Sequence, residues 1–100
     1  MDSGIEAMVE AVRTAKAKIR EDALPKAREG GRDMVPEAAE AALLGALAEL
    51  LDSVGELAEG IAGRMTTSAT RRTYRIAGKR LRDEASNLKG DAEDAVARVK

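Results

Sequence analysis

Leu43, Leu47, Leu50, Val54, Leu57 and Ile61 recur at steps of four and three residues through the middle of the chain. An α-helix turns about 100° per residue, so this spacing lays all six side chains along one edge of a single helix. A half-buried strand would need every second residue on one face, and no alternating run of that kind occurs. Leu44, Leu51, Ala58 and Met65 widen the edge on one flank. Asp33 is placed to cap this helix, and Pro36 to sit in its first turn, where a missing N–H costs nothing. The spacing predicts one rod over about 34–62, roughly 45 Å long at 1.5 Å per residue.

Helices are expected on both sides of it. Ser3 and Glu6 fit a capping box, and Ile5, Met8, Val12, Ala15 and Ile19 continue at helical spacing. Pro25 would end that segment near Asp22–Leu24, giving a first helix over about 4–24. A short turn of helix can continue through Pro25-Lys-Ala-Arg-Glu29, and Gly30-Gly31 then stops it. Beyond a polar connector at Thr66–Thr70, the residues Tyr74, Ala77, Leu81, Ala85 and Leu88 mark a third helix over about 69–89. Gly90-Asp91 is expected to break it before a short continuation over about 91–99.

The second and third helices have an antiparallel register. Leu43 would oppose Leu88, Leu50 would oppose Leu81, Val54 would oppose Ala77, and Leu57 would oppose Tyr74. The first helix would then cover the flank of Leu44, Leu51 and Ala58. The expected fold is all-α, with residues 1–100 as one domain. It is either an elongated antiparallel three-helix bundle or a long helical hairpin with an N-terminal helical arm.

Composition agrees with long helices, since Ala fills 20 of 100 positions. It also thins the core: Leu, Ile and Val together number 19, and Tyr74 is the only aromatic residue. Self-association is the ordinary remedy for a core of that size.

Charge is sorted into blocks that a net value of -1 conceals. From Asp33 to Glu59 every charge is negative, and from Arg64 to Arg82 every charge is positive. Glu49, Asp52, Glu56 and Glu59 form one ladder at helical spacing; Arg72, Arg75, Lys79 and Arg82 form another. Each ladder lies off the leucine-type edge of its own helix, so both are expected to point outward without meeting inside the hairpin. Ala41, Gly45, Ala48, Gly55 and Ala62 place small residues away from the leucine edge. Exposed mid-helix glycine costs about 1 kcal/mol relative to alanine, which a close approach by another helix would rationalise.

These features imply a non-enzymatic protein–protein interaction or assembly protein, structural or adaptor in kind. It would self-associate through its complementary acidic and basic faces, as a homo-oligomer or with a helical partner; a head-to-tail contact of that sort closes into a ring or runs on as a filament. The alternative is a nucleic-acid-binding module using Arg71, Arg72, Arg75, Lys79 and Arg82, with nearby hydroxyls on the phosphates. Against it stand a pI near 5.5, the lack of interleaved aromatics and the carboxylates of the second helix.

Other chemistry is excluded by residue type. Without His or Cys, the commonest general base and the thiol nucleophile are missing, as is the Glu-x-x-His pattern of di-iron bundles. Gly30-Gly31 lacks the Lys-Ser/Thr of a phosphate-binding loop. Asp83-Glu84 and Glu93-Asp94 are adjacent, so on a helix they diverge. No catalytic residue, cofactor, metal or small-molecule substrate is therefore expected. The N-terminus has no secretory pattern, and Glu40 and Glu49 interrupt the longest apolar stretch, which points to a cytoplasmic chain without a membrane partner.

Length, the absence of cysteine and the helical-hairpin pattern resemble the small type VII secretion substrates built on a Trp-x-Gly turn. That motif has no counterpart here: the chain contains no Trp, and its turns fall near Gly30 and Thr66. Small all-helical components of phage particles are similar at the same general level. A small secreted helical partner protein is accordingly the third reading.

Overall fold

The computed structural model describes residues 3–29 and 34–99, and every regular element among them is helical. The chain divides into two compact units, Met1–Met34 and Val35–Lys100.

The first unit contains α1 (Ser3–Lys18), a π-helical segment (Ile19–Ala23) and α2 (Leu24–Glu29). The expected stop near Asp22–Leu24 does not occur; the backbone stays helical through Pro25 to Glu29. Proline normally breaks a helix because it lacks an N–H and its ring meets the carbonyl four residues earlier. Here the helix widens in the turn before Pro25, with the Leu24 N–H donating to the Ile19 carbonyl, five residues back. The wider turn accommodates the ring. No residue of the first unit's three helical segments is buried. The expected stop at Gly30-Gly31 and the cap at Asp33 lie outside the described residues.

The second unit is a hairpin of α3 (Glu37–Ala62) and α4 (Ser68–Val99). Pro36 stands just before α3 with extended dihedrals, and its carbonyl accepts from the N–H groups of Ala39 and Glu40 at 2.8 and 3.2 Å. The turn at the other end is tightened by Arg64 N–H to the Ile61 carbonyl at 3.0 Å and Met65 N–H to the Ala62 carbonyl at 3.2 Å. Gly90-Asp91 does not break α4, contrary to expectation. One glycine costs a long helix only about 1 kcal/mol. Beyond it, Ala92 and Ala95 are 9% and 1% exposed, so packing holds the last turns in place.

The seam between α3 and α4 is a row of small residues. Ala41, Ala48, Gly55 and Ala62 recur every seven positions on α3, as do Arg71, Gly78, Ala85 and Ala92 on α4. Leu44, Leu51, Ala58 and Met65 run beside the first row; Tyr74, Leu81, Leu88 and Ala95 run beside the second. All sixteen positions of the four rows are buried or half-buried. At Gly55 and Gly78 the two backbones nearly touch. A Cβ on Gly55 would lie 3.0 Å from the Gly78 carbonyl oxygen and 2.6 Å from Arg82 Cγ. A Cβ on Gly78 would lie 3.0 Å from the Gly55 carbonyl oxygen. No other residue type fits that crossing without displacement.

This corrects the register expected from the leucine edge. Leu43, Leu47 and Val54 are 58%, 47% and 40% exposed, and Ala77 is exposed as well. Leu50, Leu57 and Ile61 are only half-buried. Tyr74, Leu81 and Leu88 do belong to the seam, but together with Leu44, Leu51 and Ala58, the flank expected to lie under the first helix. The physical reason is steric. Two edges of α3 have near-identical spacing, and the alanine-glycine edge lets the backbones approach far more closely than leucines would.

Candidate interaction surface

One rim of the hairpin is charged. The Arg82 guanidinium on α4 donates from Nη1 to Glu59 Oε2 at 3.0 Å, and its Nε lies 3.5 Å from Asp52 Oδ1. The acidic and basic ladders therefore meet inside the chain, which corrects the expectation that both point away. The cause is the seam itself: closing α3 on its small-residue edge carries the neighbouring Asp52 and Glu59 to the rim of α4. The Glu59 hydrogen bond, followed by the charges of Glu59 and Asp52, holds the Arg82 guanidinium above its ordinary pKa. All three side chains are more than 40% exposed, so solvent screens the pairing and its contribution to stability is small.

Two more basic residues of α4, Lys79 of the ladder and Arg71, are drawn to local acceptors. Lys79 Nζ donates to Asp83 Oδ2 at 2.9 Å, one helical turn on. Arg71 folds back over the turn, its Nε and Nη2 donating to the Met65 carbonyl at 3.3 and 2.9 Å. Of the five basic residues proposed for phosphate contact, Arg71, Lys79 and Arg82 have partners within the hairpin; Arg72 and Arg75 lie exposed. Glu49 and Glu56 of the acidic ladder are also exposed. The rim borders an open groove of about 780 Å³, floored by Ala41, Gly45, Ala48, Ala85 and Ala92, with charges of both signs along its edges. Among the described residues no cluster of three carboxylates is arranged to hold a metal ion.

The opposite side of α3 has a different character. Leu43, Leu47, Leu50, Val54, Leu57 and Ile61 run along it, with the exposed residues Ala46, Ser53 and Gly60 beside them. No charge interrupts this face: Glu49, Asp52 and Glu59 line the groove, and Glu56 falls beside them at helical spacing. A surface helix ordinarily places its charges opposite its core-facing stripe. Helix α3 is instead apolar towards α4 and stays apolar past Leu44, Leu51 and Ala58 onto the adjoining leucine edge, where Leu43, Leu47 and Val54 are exposed. The two stripes could be separated in the sequence only by the seven-residue recurrence of Ala41, Ala48, Gly55 and Ala62.

Fold and surface together define an all-α protein whose hairpin closes most tightly on alanine and glycine while Leu43, Leu47 and Val54 lie exposed. No protein-family model matches the chain, and neither a curated protein nor a solved structure matches it. Among the described residues, no helix is long and apolar enough to cross a membrane.

Proposed function

We propose that this protein works without catalysis, as a structural or adaptor component whose activity is helix–helix association. One observation carries the reading: α3 exposes an uninterrupted apolar edge, with Leu43, Leu47 and Val54 40–58% exposed. Contiguous apolar surface of this kind on a small chain marks an interaction site. Complementary charge is the lesser contributor, since Arg82, Asp52 and Glu59 already pair within the hairpin. The nucleic-acid alternative loses Arg71, Lys79 and Arg82 to internal acceptors.

Sedimentation at low and high salt, with and without duplex DNA, tests the proposal. Apolar docking predicts association that high salt preserves. Docking by the charged ladders predicts association that high salt dissolves. A chain that shifts only when DNA is added, in a salt-dependent manner, belongs instead to the nucleic-acid class.

A further inference from the structure

We infer that the apolar edge of α3 receives a second copy of this chain, packed antiparallel about a two-fold axis close to position 52. The inference rests on the proposed helix-association reading and adds the partner and its register.

The first argument is symmetry. An isologous contact requires that if residue i meets residue j, then j meets i. The edge satisfies this: Leu43 falls opposite Ile61 of the second copy, Leu47 opposite Leu57, and Leu50 opposite Val54. Each pair is centred on the same point, so the row reads alike in both directions.

The second argument is charge. The six residues alternate as the two core positions of a heptad, and the flanking positions, where charges usually set partner choice and orientation, hold Ala46, Ser53 and Gly60 on one side. A second copy brings no charge against that edge and leaves none buried without a partner. A charged partner would find no counter-charge there. The acidic ladder on the adjoining flank disfavours an anionic lipid surface or a nucleic acid.

The third argument is the core. The hydrophobic residues buried in the described chain are all alanines, and no large side chain is fully buried. A chain of 100 residues with so little buried in it gains from covering its leucines. The six edge residues and three flanking ones make nine a side, under half of the roughly 20–30 that a standard interface uses per partner. The pair is therefore of the transient class and dissociates on dilution.

Because the chain has no cysteine, single thiols report the register directly. In the two-fold arrangement position 53 meets itself, whereas position 46 lies opposite position 60. Two copies of position 46 are then about 18 Å apart along the helices, far beyond disulfide reach. Under mild oxidation, Ser53→Cys should give a covalent dimer and Ala46→Cys alone should not. A mixture of Ala46→Cys and Gly60→Cys chains should cross-link to each other. Leu47→Glu should abolish the sedimenting dimer and leave the helical circular dichroism signal unchanged. Self-linking of Ala46→Cys shows a parallel pair, and a chain that stays monomeric with no cross-link shows no pair; either result overturns the inference. Both leave the helix-association reading standing, which falls only if the chain responds to DNA alone.

Discussion

The two faces of α3 invert the usual relation between size and burial. On the face against α4, Ala48, Gly55, Ala58 and Ala62 are buried and Leu44 and Leu51 are half-buried beside them; the adjoining edge carries Leu43, Leu47 and Val54, all exposed. Burial here follows how closely two backbones can approach, not how much apolar surface one side chain offers. Alanine and glycine let α3 and α4 come close enough that every seam atom gains many weak contacts, and dispersion sums over such contacts. Leucines at the same positions would hold the helices apart. What remains outside is then available for another helix.

The comparison breaks most decisively at the crossing point. Gly55→Val places a branched side chain where even a Cβ lies 3.0 Å from the Gly78 carbonyl oxygen. Overpacking of this kind costs about 1–3 kcal/mol, and thermal melting should show a clear drop in Tm. Next in size is a pair of matched truncations. Leu51→Ala, on the half-buried inner side, should lose about 1–2 kcal/mol, less than the full-burial range because the site is partly open. Leu47→Ala, on the outer side, should stay within about 0.5 kcal/mol for the dilute chain while weakening its association. Equal losses for the two would erase the distinction between the faces. Gly90→Ala sharpens it from another direction: nothing lies within 4 Å of a Cβ at that position, so the variant should gain up to about 1 kcal/mol in chemical denaturation. The smallest effect belongs to the charged rim. Arg82→Ala should lower the melting temperature slightly in dilute buffer, and the difference should vanish at high salt because its ion pairs with Asp52 and Glu59 are exposed.

Much of this fold is legible in the sequence. Helical periodicity identified α3 and the start of α4, and the polar stretch at Thr66–Thr70 located the turn. The register is not legible, because a leucine edge at four-three spacing is the stronger pattern, while close packing through small residues leaves only a faint one. Ala41, Gly45, Ala48, Gly55 and Ala62 mark an edge suited to close approach by another helix, but their spacing does not say that this helix is α4. Once the register changes, the internal pairing of Arg82 with Glu59 follows. The helical turn over Pro25–Glu29 is legible, but its unbroken join to the preceding helix is not, because local rules for proline do not anticipate a widened turn ahead of it. Continuity through Gly90 depends on Ala92 and Ala95 being buried, which is tertiary information.

Paired cysteines distinguish the two registers in one gel. Ala48→Cys with Ala85→Cys tests the alanine-glycine seam; Leu50→Cys with Leu81→Cys tests the leucine-to-leucine alternative. Oxidised at a dilution where only intramolecular links form, the first pair should bridge readily and the second should remain as free thiols. A bridge in the second pair with none in the first would contradict the account.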